Sequence, residues 1–259
     1  MITTTNPADG TTIGEVASAG EGLARRAVDA AQNAFPRWAG RLPQERGAVL
    51  RRWFELVVQA KEDLARIMVL EQGKPLSEAR GEIDYAASFI EFYAEEAKRP
   101  NIEGVTSHLP DAEVELWLEP VGVAALVTPW NFPCAMLTRK AAAAIAAGCT
   151  VVAHPSAETP YSALALAELG ERAGLPAGVF NIVTGAAPTV VKPWTEDRRV
   201  RALSFTGSTE IGRLLYRQSA ETVKRLVMEL GGHAPVIVFK DADLDDAVKE
   251  TMKAKFATS

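Results

Sequence analysis

The sequence predicts an α/β fold whose parallel sheet is covered by helices on both faces, and two observations predict it. From residue 121 onward, apolar runs at Val121–Val127, Cys149–Ala153, Val179–Val183 and Ala202–Phe205 alternate with helical stretches near 134–147, 160–173 and 208–220. That is the rhythm of right-handed βαβ units. Ahead of it, up to about Arg99, apolar side chains recur at helical spacing. The expected organisation is a helical lead-in over 1–100, a projecting strand segment over 101–120 and a parallel sheet domain over 121–259.

In chain order, Leu50, Trp53, Phe54, Val57 and Val58, then Leu64, Ile67 and Met68, mark the lead-in helices. Pro75, Ser77 and Glu78 supply helix-start chemistry for the next one. Its aromatic stripe of Tyr85, Phe89, Phe92 and Tyr93 is expected to face the core. From Asn101 to Glu119 the period changes, because Val114, Leu116 and Leu118 alternate with Glu113, Glu115, Trp117 and Glu119. This reads as strand, half of an extended hairpin. After the repeated units come two further apolar runs, Leu226–Leu230 and Pro235–Phe239, an acidic turn over Asp241–Asp246 and a helix-like stretch reaching Phe256.

Composition narrows the function classes. Lys plus Arg number 28 against 33 Asp plus Glu, a net charge of −5, which argues against a dedicated nucleic-acid binder. Apolar residues at 47% and charged residues at 24% are globular values. The longest nearly uncharged run, Ala141 to Ala153, is too short for a membrane span, and MITTTNPADG lacks the pattern of a secretory signal, so the expected compartment is cytoplasmic. Two cysteines and three scattered histidines offer neither a disulfide framework nor a metal cage.

In an open α/β sheet, ligands bind beyond the carboxyl ends of the strands, and three segments sit there. Thr128-Pro129-Trp130-Asn131-Phe132-Pro133 is a rigid loop presenting the Asn131 amide, a candidate donor to a developing oxyanion or a loop amide serving its own backbone. Thr206-Gly207-Ser208 is a tight turn opening a helix, where free N–H groups, the helix dipole and the Ser208 hydroxyl favour a pyrophosphate; a plain Ser-capped helix is the alternative. Glu229 ends an apolar run before Gly231-Gly232. A buried carboxylate there is a candidate general base with a raised pKa, or else half of a structural ion pair.

These motifs, Pro-Trp-Asn-Phe-Pro at 129–133, Phe-Thr-Gly-Ser-Thr at 205–209 and Glu-Leu-Gly-Gly at 229–232, resemble the aldehyde dehydrogenase superfamily in this order and over essentially the whole chain. Phe89-Ile90-Glu91, Ala94-Glu95-Glu96-Ala97-Lys98-Arg99 and Met136-Leu137-Thr138-Arg139-Lys140 resemble its succinate-semialdehyde dehydrogenase branch. The resemblance implies a Rossmann-like dinucleotide-binding domain reaching the start of a catalytic domain, and oxidation of an aldehyde, here succinate semialdehyde, with reduction of NAD(P)⁺. In that chemistry a cysteine thiolate attacks the aldehyde and a glutamate activates the hydrolytic water. Asn131 becomes the oxyanion donor, Glu229 the base, and Trp130 with Thr206, Gly207 and Ser208 part of the cofactor site. Arg139 pairs with the substrate's distal carboxylate or is an ordinary solvated helix residue. The family also implies a homo-oligomer built partly through the projecting strands.

Two departures from the family pattern bear on function. His154-Pro155 replaces Lys-Pro, exchanging a ribose-binding ammonium for a mostly neutral imidazole. Ala157 replaces a glutamate frequent in NAD-preferring members, leaving room for a 2′-phosphate with Ser156 as the available donor, so NAD versus NADP stays open with a lean to NADP. Further, the family's nucleophile follows a Lys-Phe that matches Lys255-Phe256, and Ala257-Thr258-Ser259 closes this sequence before any such cysteine. Cys134, at a helix start, and Cys149, opening a buried strand, are poor substitutes. The expectation is that this chain alone is catalytically incompetent. A non-catalytic nucleotide-binding module and a structural remnant are the competing readings.

Overall fold

The computed structural model describes residues 1–99 and 102–256, so Pro100, Asn101 and Ala257-Thr258-Ser259 lie outside the described residues. The lead-in is not helical from its start. β1 (Ile2–Thr5) and β2 (Thr12–Val16) form an antiparallel hairpin. The β-branched threonines favour extended backbone, and the Asn6 and Asp9 side chains accept from Ala8 N–H and Thr11 N–H to close the turn at Gly10, whose φ is +74°. Four helices follow: α1 (Glu21–Ala39), α2 (Pro43–Gln59), α3 (Lys61–Gln72) and α4 (Leu76–Glu96).

Half of the aromatic stripe on α4 faces the core as expected, Phe89 and Tyr93 being partly buried against it, and half does not. Tyr85 is 44% and Phe92 58% exposed, whereas Ala79, Ile83, Ala86, Ala87, Ile90 and Ala94 are buried. Small side chains let α4 approach its neighbours closely, and the rings of Tyr85 and Phe92 are left at the rim of that contact. The projecting segment is a hairpin of β3 (Ile102–Val105) and β4 (Val114–Trp117), antiparallel in register Ile102↔Trp117 and exposed on both faces.

The sheet domain has five parallel strands in the order β7-β6-β5-β8-β9: β5 (Val123–Val127), β6 (Thr150–His154), β7 (Phe180–Ile182), β8 (Val200–Thr206) and β9 (Arg225–Glu229). Between and after them run α5 (Pro133–Ala146), α6 (Pro160–Arg172), α7 (Ala187–Glu196) and α8 (Thr209–Ser219). The sequence reading missed α7, whose two internal or flanking prolines, Pro188 and Pro193, disguise its period. All five residues of β5 and of β6 are buried. Val123, Ala125, Val127 and Val152 pack on one face with α1 and Trp194, while Leu126, Val151 and Ala153 pack on the other with α2 to α6. That two-sided burial explains why these strands read as continuous apolar runs.

The order of strand addition reverses at β5: the units leading to β6 and β7 extend one way, and β8 and β9 add on β5's other side. The crevice between the ends of β5 and β8 is thus the topological switch point, the expected ligand position of an open α/β sheet. The run Pro235–Phe239 forms no strand; Ile237 and Phe239 stand more than 70% exposed and Pro235 contributes no N–H donor. α9 (Leu244–Lys255) follows, capped by Asp243, which accepts from Asp245 N–H and Asp246 N–H.

Candidate active site

The Asn131 loop leaves β5 at the switch point and runs directly into α5, which begins with Pro133. Its geometry is imposed by residues the sequence reading did not single out. Glu82 of α4 accepts from Cys134 N–H at 2.9 Å and Ala135 N–H at 3.2 Å, satisfying two orphan donors of α5's first turn from a neighbouring helix. Lys74 Nζ lies 2.5 Å from Glu82 Oε2, donates to the Asn131 carbonyl at 2.9 Å and sits 4.2 Å from the Phe132 ring centre. Burial raises the Glu82 pKa, and the Lys74 ammonium opposes that rise. The available signal was Glu82 alone, a charge on the α4 face that carries Ala79, Ile83, Ala86 and Ile90; Lys74 lies in the link between α3 and α4 and has no such pattern around it. Asn131 Oδ1 is buried with no hydrogen-bond partner among the described residues.

At the end of β8, Gly207 N–H donates to the Glu229 carbonyl at 3.0 Å, and Thr206 pairs with Glu229 in the ladder. A Cβ on Gly207 would fall 2.4 Å from Phe205 Cζ, so any side chain here would have to displace the Phe205 ring. Ser208 is the α8 N-cap: its Oγ accepts from Ile211 N–H at 3.3 Å. The hydroxyl proton is left to donate, and α8's first turn points its remaining N–H groups outward. Thr206 Oγ1 is buried without a hydrogen-bond partner among the described residues. An exposed cap, a missing Cβ and an orphaned hydroxyl fit a pyrophosphate here.

Glu229 itself is exposed. The desolvation argument for this carboxylate therefore fails in this chain, because β9 is the outer strand of the sheet and no described element covers its tip. Its field is felt at Lys140, a buried residue of α5 that donates to Ser204 Oγ at 2.8 Å. Burial, reinforced by Arg139, lowers the Lys140 pKa to about 8, and Glu229 partly offsets this.

His154 ends β6 and is only 3% exposed. Its Nδ1 lies 2.9 Å from the Val183 carbonyl, and burial holds its pKa below the usual 6.5, so the neutral ring carries its proton on Nδ1 and offers Nε2 as an acceptor. A hydroxyl could donate to that nitrogen, whereas an ammonium could only donate. Beyond the strand, Ser156 Oγ and Glu158 Oε2 are 3.3 Å apart. Trp130, half exposed, and Ala157 line one cavity of about 520 Å³ together with Thr4, Glu71 and Thr159. Glu71 accepts from Tyr161 N–H and Ser162 N–H at the start of α6, and burial pushes its pKa up to about 7.

Arg139, two turns into α5, is held by the α4 aromatics: Nη2 donates to the Tyr85 hydroxyl at 2.8 Å and the guanidinium lies 4.9 Å from the Phe89 ring centre. Both cysteines are buried, and burial raises both thiol pKa values, that of Cys134 well above 9.0. No three His, Cys, Asp or Glu side chains among the described residues could hold a metal ion, and no described helix is long and apolar enough to cross a membrane.

The profile of the aldehyde dehydrogenase family matches residues 1–259. The chain belongs to the aldehyde dehydrogenase family. This family member is 54% identical over 255 residues to the NADP(+) succinate-semialdehyde dehydrogenase GabD of Escherichia coli (strain K12), covering 98% of this chain and 53% of the relative. It is 55% identical over 255 residues to the glutarate-semialdehyde dehydrogenase of Pseudomonas putida, with the same coverage. The crystal structure of an E. coli NADP dependent enzyme superposes with a TM-score of 0.97 at 54% identity, over 99% of this chain and 53% of that one. The chain thus spans about half the length of the curated relatives it matches.

Proposed function

We propose that this chain carries the cofactor-binding part, and half of the reacting site, of an NAD(P)-dependent dehydrogenase for a short aldehyde with a carboxylate at its far end, succinate semialdehyde being the preferred substrate. The observation that carries the reading is the Thr206-Gly207-Ser208 turn at the switch point, an anion site built from backbone donors. The bound dinucleotide supplies a hydride acceptor. Ser208 and the α8 N-terminus hold its phosphates, Trp130, Ser156 and Ala157 flank it, and His154 Nε2 accepts from a ribose hydroxyl. The short Ala157 side chain leaves room for a 2′-phosphate, which favours NADP, as does the NADP(+) in the name of the E. coli relative.

For the aldehyde, Asn131 donates its side-chain NH₂ to the developing oxyanion, in a loop that Lys74 and Glu82 lock in advance of reaction. Glu229 takes the proton of the hydrolytic water. Arg139 receives the far carboxylate, a role in keeping with relatives named for succinate and glutarate semialdehyde, both ω-oxo acids. The exposed β3–β4 hairpin joins copies of the chain into an oligomer, and the compartment is cytoplasmic.

Aldehyde oxidation needs a thiolate, and neither buried thiol of residues 1–259 supplies one, so these residues alone bind cofactor without turnover. Calorimetric titration with NADP⁺ and NAD⁺, followed by an absorbance assay for NAD(P)H with succinate semialdehyde, tests this. Binding of NADP⁺ in preference to NAD⁺ and no reduction is the expected pair of results; no binding of either dinucleotide sinks the proposal.

A further inference from the structure

Tyr85 stands at the exposed rim of α4, Phe89 beside it packs against the core, and both rings meet Arg139. Tyr85 and Phe89 lie with ring centres 4.6 Å apart, and the Arg139 guanidinium sits over both, 5.8 Å and 4.9 Å from their centres. Cation–π attraction thus holds the charge from one side. The Tyr85 hydroxyl accepts from Arg139 Nη2 at 2.8 Å. An oxygen that accepts from a guanidinium keeps its own proton free to donate, since arginine offers no acceptor.

Arg139 lies within ion-pair distance of no carboxylate among the described residues, and its Nε is buried with no hydrogen-bond partner there. Buried polar atoms ordinarily find partners. A guanidinium fixed on one side by two rings and a phenol, with donors to spare, is built for an anion arriving from the other side. We propose that Tyr85 is the second member of the carboxylate subsite, orienting Arg139 through Nη2 and donating its own O–H to the same ligand carboxylate. The proposal rests on the reading of Arg139 as the receiver of the substrate's far carboxylate.

The test uses residues 1–259 with nitrogen-labelled arginine, succinate as the probe and the Arg139 Nε–H signal, assigned through Arg139→Met, as the readout. Tyr85→Phe keeps the ring and the fold but removes the hydroxyl. It is expected to weaken succinate binding about tenfold, the loss of a hydrogen bond to a charged group, and to speed rotation of the Arg139 guanidinium. Tyr85→Gln, which restores an acceptor and a donor, is expected to recover part of the affinity, a rescue that a packing role would not give. Unchanged affinity and unchanged guanidinium rotation in Tyr85→Phe overturn the role of Tyr85 while Arg139 stands. If succinate leaves the Arg139 signal of the unsubstituted chain unmoved, Arg139 is not a carboxylate receiver and both ideas fall.

Discussion

Lys74 and Glu82 form an ion pair with their side chains almost wholly out of water, 1% and 0% exposed, and each spends its remaining hydrogen-bonding capacity on the backbone of the Asn131 loop or the helix that follows it. Removing one member leaves a buried charge alone, which costs about 3–5 kcal/mol. Lys74→Met should therefore lower urea stability by that order, and Lys74→Met/Glu82→Gln should lower it less than the sum of the single changes. Additive losses would mean the two groups are not coupled.

Glu71 makes stability depend on pH. Its pKa is about 7 in the folded chain against 4.5 ordinarily, so the folded state holds the proton more tightly. Its stabilisation is complete below pH 4.5 and is lost as pH rises to 7, about 3 kcal/mol at most. The stability of the unsubstituted chain minus that of Glu71→Gln should fall across this window in denaturant titrations. A flat difference would remove the argument from burial.

Ser208 lets helix capping and anion binding be separated. Ser208→Asp keeps a good N-cap and adds a favourable charge at the helix start, so thermal stability should hold or rise. The same carboxylate repels a pyrophosphate, and dinucleotide affinity should drop at least about tenfold on the scale of one charge-assisted contact. Parallel changes in both quantities would argue that the turn is only a cap.

Neither thiol should react readily in the native chain. With Cys134 and Cys149 buried and their pKa values raised, a disulfide reagent at mildly alkaline pH should modify both only after unfolding in guanidinium. A thiol in the folded chain that reacts as fast as free cysteine would reopen Cys134 as a nucleophile.

The β3–β4 hairpin presents Val105, Val114, Leu116 and Trp117 to solvent on unpaired strand edges. Light scattering should find species larger than one chain, and Leu116→Lys should shift them towards monomer. A monomer at high concentration in the unsubstituted chain would count against oligomerisation through this hairpin.

What the sequence made legible depended on how each element is buried. The strands of the parallel sheet were plain because β5 and β6 are apolar on both faces. The first hairpin was not, since a threonine run with one buried residue, Thr4, has no apolar period to read. Motif residues Asn131, Thr206, Gly207, Ser208 and Glu229 all fall where strands end, as their spacing predicts. Exposure was misjudged where it depends on distant chain: Glu229 lies at an uncovered sheet edge, and Tyr85 and Phe92 of α4 at the rim of a helix contact made largely by alanines. Lys74 escaped notice because its three partners, Glu82, the Asn131 carbonyl and Phe132, lie up to 58 positions away.

Glu82, Tyr85 and Phe89 stand at i, i+3 and i+7 on α4; the first accepts from the opening turn of α5, just past the Asn131 loop, and the other two grip Arg139. One straight helix is thereby a gauge, its two jaws separated by three residues, or about 4.5 Å along the axis. On the proposed reading, in which Asn131 meets one end of the aldehyde and Arg139 the other, chain-length selection would depend on how α4 seats against α5, and variants that slide α4 should change which ω-oxo acid is preferred before they change how tightly its carboxylate is held.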